Sequence, residues 1–238
     1  MPTPYFQFKQ FTVWHDQCAM KVGTDGVLLG AWAPADSACS NILDVGCGSG
    51  LVALMLAQRC PQALVTAVDI DEGAYRQSEL NFRQSPWSSR LRAVHSPVRH
   101  FRPDQSGYDL IVSNPPFFTH SLKTPQPART TARHNDTLPL TELLIFAAGA
   151  LKKTGSIVLI LPVTDKEKCV KLAESVELFC SRSLTVIPKP GAAPKRVLLV
   201  LGRENSPEET GELTIETEKR GVYSPQFSAL VRDFYLKL

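Results

Sequence analysis

A chain of 238 residues that is 43% hydrophobic can bury one substantial core with a small terminal elaboration, and is too short for two full domains. A formal charge of +3 leaves any nucleic-acid footprint to local clustering, and six cysteines with no C-x-x-C pair and no Cys/His ligand spacing predict neither a metal site nor a disulfide framework. Residues 1–10 are not a basic-then-apolar leader and the longest aliphatic run, 157–161, is too short to span a bilayer, so a soluble cytoplasmic protein with no membrane partner is expected.

Along the chain, Phe6, Phe8, Phe11 and Trp14 alternate with polar residues in a strand-like way and read as packing side chains. From residue 41 onward, short β-branched runs alternate with segments of helical period. Strands are predicted over 41–45, 64–69, 91–95, 108–113, 156–161, 183–187 and 196–201. Helices are predicted over 51–59, 72–83, 140–151 and 166–179, the last from Cys169, Leu172, Val176 and Phe179 at i, i+3 and i+4 spacings. This alternation predicts an α/β fold, a seven-stranded and mostly parallel sheet with helices on both faces. Residues 188–195, with three prolines and one glycine, are too short for a crossover helix, so the last two strands should pair as an antiparallel hairpin. The glutamate-rich stretch 203–220 reads as a solvated loop or an edge strand. The chain thus divides into an N-terminal extension, 1–40, and one main domain, 41–238.

Leu43-Asp44-Val45-Gly46-Cys47-Gly48-Ser49-Gly50 lies between a predicted strand and a predicted helix, where glycines let the backbone turn and approach a ligand closely. The dinucleotide fingerprint G-x-G-x-x-G needs a third glycine where Leu51 stands, so a nucleoside cofactor fits better than a pyrophosphate. Asp69 ends the second of these strands, placed to accept both hydroxyls of a ribose, with Asp71 a weaker candidate. Glycines that only turn the chain and an aspartate that only caps a helix are the alternatives.

Asn114-Pro115-Pro116-Phe117 follows the strand over 108–113. Proline lacks an N–H and fixes φ, so two in a row after a strand make a stiff loop with outward carbonyls beside a side-chain amide, a set of acceptors suited to an amine. An ordinary proline turn is the alternative. Between Leu110 and Asn135 there is no acid, whereas His120, Lys123, Arg129, Arg133 and His134 crowd the same stretch, as a rim for anionic RNA or as a solvated basic loop.

The glycine loop, Asp69 and Asn114-Pro115-Pro116-Phe117 together resemble the class I methyltransferases that use S-adenosyl-L-methionine and methylate amino groups. The resemblance implies a Rossmann-like sheet of order 3-2-1-4-5-7-6 with strand seven antiparallel. It assigns Asp44, Gly46, Gly48, Gly50, Asp69, Ile70, Ser96 and Asn114 to the cofactor, and Asn114, Pro115, Pro116 and Phe117 to catalysis. The third strand ends in His95-Ser96, where many relatives carry an acid for the cofactor's adenine.

Further stretches narrow the likeness. Phe8-Lys9-Gln10-Phe11, the run from Met20 to Gly30, Ala132-Arg133-His134 and the ending Arg232-Asp233-Phe234-Tyr235-Leu236-Lys237 look like the bacterial valine-tRNA adenine-N6 methyltransferases. That resemblance implies methylation of the adenosine 3′ of the anticodon in a valine tRNA by a monomer. It places Lys123, Arg129, Arg133 and His134 on the RNA and Lys21 and Thr24 at the methionine end of the cofactor, with helix capping an alternative for Thr24. It also makes residues 1–40 a brace for the cofactor pocket. Guanine-N2 methylation of ribosomal RNA, protein-glutamine methylation and RNA binding without turnover are the competing readings.

Overall fold

The structure, a computed structural model, describes residues 3–18, 21–103, 107–116 and 138–238. A short antiparallel hairpin of β1 (Tyr5–Gln7) and β2 (Thr12–Trp14) opens the chain, followed by α1 (Thr24–Trp32). Strands and helices then alternate as β3 (Asn41–Val45), α2 (Leu51–Arg59), β4 (Leu64–Asp69), α3 (Glu72–Arg83), β5 (Leu91–His95), β6 (Tyr108–Ser113), α4 (Leu140–Ala150), β7 (Leu151–Pro162) and α5 (Lys166–Glu174). The chain closes with β8 (Phe179–Ile187), β9 (Arg196–Gly202), β10 (Glu209–Thr214) and α6 (Pro225–Val231).

The main sheet has the order β10-β8-β9-β7-β6-β3-β4-β5. Its inner seven strands reproduce the predicted 3-2-1-4-5-7-6 arrangement, and β9 is antiparallel to both β7 and β8. The sheet is one strand larger than expected. Residues 209–214 form an edge strand parallel to β8, because Leu213 is buried and Gly211 comes so close to Leu184 that a β-carbon would lie 3.2 Å from its Cδ1. The glutamates of this strand leave only a weak apolar signal, since an edge strand needs just one buried face.

Two cores flank the sheet. On one face Phe8, Phe11 and Val13 pack with α1, α2 and α6; on the other, Leu143, Leu144, Cys169 and Ala173 come from α4 and α5. Helix α2 is held almost entirely by burial: Leu54, Met55 and Leu56 are fully enclosed, each contributing roughly 1.5–3 kcal/mol relative to exposure. Helix α1 has no counterpart in the sequence pattern. Every residue from Gly26 to Trp32 is buried, so it shows no polar face, and its glycines admit α2: a β-carbon on Gly30 would fall 2.7 Å from Met55 Sδ.

Helix α5 ends at Glu174, five residues before the predicted end. Glu177 takes φ 59 and the Leu178 N–H donates to Ala173 O at 3.0 Å, which stops the helix although apolar residues continue at helical spacing into β8. Strand β7 starts earlier than expected, at Leu151, with a register shift against β6 between Tyr108 and Leu110. Among the described residues no helix is long and apolar enough to cross a membrane.

Candidate active site

The chain leaves β3 toward β4 and β5 on one side, then returns to β6 on the other. That reversal opens a crevice beyond the carboxyl ends of β3, β4 and β6. Three glycines turn the loop that follows β3, with φ of 71° at Gly46, 55° at Gly48 and 79° at Gly50, all left-handed. Their surroundings differ. A β-carbon on Gly46 or Gly48 would meet no described atom within 4 Å, whereas one on Gly50, the N-cap of α2, would sit 2.5 Å from Phe82 Cε1. Gly46 and Gly48 therefore face open space, and Gly50 faces packed protein.

Backbone and side-chain bonds lock the strand ends to one another. Gly46 N and Cys47 N donate to Val68 O at 2.8 and 3.2 Å, and Gly48 N donates to Asp69 Oδ2 at 2.9 Å. Asp69 Oδ1 accepts from Asp71 N at 2.9 Å, and Ser96 N donates to Asp69 O at 3.0 Å. On the other side the buried Ser113 hydroxyl, last in β6, donates to Val45 O at 2.7 Å. That bond fixes the chain entering Asn114 beside the glycine loop. Burial pushes the Asp69 carboxyl up and the charge of Asp71 adds to it, while N–H donors from Asp71, Gly48 and Ile70 pull it down; the net direction is upward.

The N-terminal segment closes the crevice. Asn81 is fully buried and satisfied: its amide donates to Trp14 O and Ser49 O at 2.8 Å, and its oxygen accepts from Trp14 N at 3.0 Å. Gln17 N donates to Gln77 Oε1 at 2.8 Å, which leaves Cys18 on the pocket wall.

The resulting cavity, about 250 Å³, brings together Gly46, Gly48, Asp69, Ile70, Ser96, Asn114, Pro115 and Pro116 of the expected site. Four others lie elsewhere. Asp44 is 2% exposed and turned inward, its Oδ2 accepting from Ala53 N at 3.1 Å in the first turn of α2; burial pushes its carboxyl up to about 7. Gly50 serves packing, as above. Lys21 is exposed ahead of α1, and Thr24 is the first residue of that helix, whose N-cap is Gly23 with no side-chain cap. None of these four lines the cavity. Phe117, Lys123, Arg129, Arg133 and His134 lie outside the described residues.

The cavity also contains residues that the motifs did not single out: Cys18, Val98, Arg99 and Glu142. Val98 and Arg99 follow Ser96 directly, so extending the third-strand position by three residues would have found them. Glu142 occupies the first turn of α4, and nothing in its sequence context marks it. The donor and acceptor set suits a nucleoside. Asp69 presents a carboxylate of the kind that can hold a diol, Ile70, Ala74 and Val98 present apolar walls, and Gly46 and Gly48 leave room for close approach.

Comparison with known proteins agrees with this geometry. The family described as methyltransferase small domain matches residues 27–176. A tRNA1(Val) (adenine(37)-N6)-methyltransferase of Parabacteroides distasonis is 48% identical over 240 residues, covering 100% of both chains. One of the same name from Trichodesmium erythraeum is 46% identical over 235 residues, covering 98% of each. Among solved structures, a predicted O-methyltransferase from Agrobacterium tumefaciens, Atu636, superposes with TM-score 0.70 at 17% identity, over 88% of this chain and 96% of that one. The geranyl diphosphate C-methyltransferase of Streptomyces coelicolor gives 0.55 at 12% identity, over 75% and 78%, so these two likenesses concern the fold. With a methyltransferase sheet, a nucleoside-shaped cavity at its switch point and full-length relatives near half identity, the chain belongs to the family of the tRNA1(Val) (adenine(37)-N6)-methyltransferases.

Proposed function

We propose that the protein is a cytoplasmic, monomeric enzyme that uses S-adenosyl-L-methionine to methylate N6 of adenosine 37, the nucleotide 3′ of the anticodon, in a valine tRNA. The observation that carries this reading is the position of Asn114-Pro115-Pro116: directly after β6, which pairs with β3, and opening into the same cavity as Gly46, Gly48 and Asp69. In this assignment Asp69 takes the cofactor's ribose, Ile70 and Val98 flank its adenine, and Gly46 and Gly48 cradle the remainder. When bound, the cofactor supplies an electrophilic methyl group.

The protein's part is orientation. An exocyclic amine shares its lone pair with the ring and is a poor nucleophile while planar. Asn114 Oδ1 and the Pro115 carbonyl each accept one of its N–H groups, which draws the nitrogen toward tetrahedral geometry and aims the lone pair. Pro115 is buried, its ring fixes φ and the following Pro116 restricts ψ, so its carbonyl keeps one direction. Phe117 stacks on the base, and Lys123, Arg129, Arg133 and His134 meet phosphates. The alkylated nitrogen is acidic and loses its extra proton to water, so the scheme needs no strong base.

The test is incubation of the protein and its Asn114→Ala variant with cofactor and total RNA from cells lacking the enzyme, followed by nucleoside mass spectrometry of the tRNA and ribosomal RNA fractions. The wild type should yield N6-methyladenosine in the tRNA. Loss of one orienting acceptor should lower kcat about a hundredfold with cofactor affinity little changed. N2-methylguanosine in ribosomal RNA, or no methylated nucleoside at all, refutes the assignment.

A further inference from the structure

Strand β9 runs against its neighbours, so its first residue, Arg196, comes to the edge where the parallel strands end and the cavity opens. It stands opposite Pro162 at the end of β7 and Val186 near the end of β8. Two strand spacings, about 10 Å, separate β9 from β6 and Asn114. Arg196 Nε donates to Asp25 Oδ2 at 2.8 Å, in a half-buried pair that ties the first turn of α1 to the start of β9.

Lysines flank that clamp. Lys195 precedes Arg196 directly, and Lys21 lies on the short segment between Cys18, on the cavity wall, and Asp25. Lys189 opens the turn 188–195, which carries two lysines, three prolines and no acid. The turn is held by Lys195 N to Val186 O at 3.0 Å, Ala192 N to Lys189 O at 3.1 Å and Glu216 N to Pro188 O at 3.0 Å. All three lysines are exposed, and none is in an ion pair with a described residue.

Of the nearby acids, Asp25 is paired with Arg196, Glu216 and Glu218 share their loop with Lys219 and Arg220, and Asp165 and Glu167 lead into α5, on the opposite face of the sheet from α1. Asp16, Asp69 and Asp71 lie near Cys18, at the cavity end of the segment that carries Lys21. Arg232 and Lys237 belong to the other end of the molecule. Arg232 O accepts from Lys9, and neighbouring Asp233 O accepts from Gln58, in the last turn of α2, which descends from the cavity edge.

We propose that Lys21, Lys195 and Lys189 form a phosphate track that carries the RNA backbone away from the target nucleotide on the α1 side of the sheet edge. The proposal rests on the RNA-methylating reading above. It moves Lys21 from the cofactor to the nucleic acid. The track begins about 10 Å from Asn114, so it meets phosphates close to the flipped base.

The experiment measures tRNA binding by the full chain as a function of salt, with S-adenosylhomocysteine affinity as the second readout. Each lysine that neutralises a phosphate contributes about 0.7–0.9 to the slope of log K against log salt, so one loss weakens binding about five- to eightfold at 0.1 M. Lys21→Ala, Lys189→Ala and Lys195→Ala should each lower the slope by that amount, Lys→Arg should restore it, and S-adenosylhomocysteine binding should not move. Arg232→Ala with Lys237→Ala should leave the slope at its wild-type value. A triple alanine variant with the wild-type slope overturns the track, as does a Lys21→Ala variant that loses S-adenosylhomocysteine affinity and keeps its slope. If the wild type methylates tRNA and the triple variant keeps its slope, only the track falls. If the wild type neither binds nor methylates tRNA, the functional reading falls and takes the track with it.

Discussion

Gly48 and Gly50 sit two residues apart in one loop, both left-handed, yet alanine at each should fail in opposite ways. At Gly48, φ 55° costs a β-carbon about 1 kcal/mol, and no described atom lies within 4 Å to add to it. That corresponds to a Tm loss of about 2–4 °C for a chain of this size. At Gly50 the backbone cost is similar, but the methyl would sit 2.5 Å from Phe82 Cε1 and 2.9 Å from its Cζ, against a ring that is 3% exposed. Overpacking of that kind adds about 1–3 kcal/mol, so the total of about 2–4 kcal/mol means a Tm loss of roughly 4–16 °C. Calorimetric unfolding with and without S-adenosylhomocysteine separates the two. Gly48→Ala should unfold almost like the wild type alone and lose most of the ligand-induced shift, about 2.7 kcal/mol at a hundredfold excess over Kd. Gly50→Ala should be the less stable protein even without ligand. Wild-type S-adenosylhomocysteine affinity in Gly48→Ala would refute the cradle; equal stability of the two variants would refute the packing argument.

Two pH effects follow from buried carboxyls. Burial lifts Asp44 from 3.8 to about 7, against the pull of the Ala53 N–H, so the folded state holds a proton that the unfolded chain releases. Stability should therefore fall as pH rises from about 4 to about 7, by on the order of 4 kcal/mol; Asp44→Asn, which keeps an acceptor for Ala53 N, should flatten that slope in urea titrations, and an unchanged slope would refute the placement. Asp109 behaves oppositely. Burial alone would raise it, but the Lys152 ammonium at 2.9 Å and donors from Asn41 and Ser40 outweigh burial and hold it at about 2. Its contribution, about 2 kcal/mol, is complete above pH 4 and should vanish as pH falls through 2; an Asp109→Asn variant with the wild-type acid-unfolding curve would show that the pair adds nothing.

How far the sequence could be read depended on whether the cause was local. Strands β3, β4 and β6 have their predicted bounds because parallel strands buried on both faces are near-continuous apolar runs closed by loop residues, and the edge strand β5 has its own because its short run is closed by turn residues on both sides. The glycine loop, Asp69 and the Asn114 loop were legible for the same reason, since each is a short motif at a strand end. Helix α1 was not, because close packing against Met55 erased its polar face, and that neighbour is distant in sequence. Asp44 shows the limit of a motif. Its spacing put it with the ligand residues, but β-strand alternation turns its side chain toward α2, where Ala53 N meets it. Likewise no local signal announces that the Ser113 hydroxyl reaches Val45 across the sheet.

That Ser113 bond bears on what sets the geometry of transfer. The glycine loop hangs from β3 and the Asn114 loop from β6, and these two strands are direct neighbours in the ladder. Their separation is a lattice constant of the sheet, about 4.8 Å, rather than a property of either loop. Alignment of the two partners is thus settled when the protein folds, and the entropy of aligning them is not lost again at each turnover. The loops can then differ in whom they admit while the spacing beneath them stays the same.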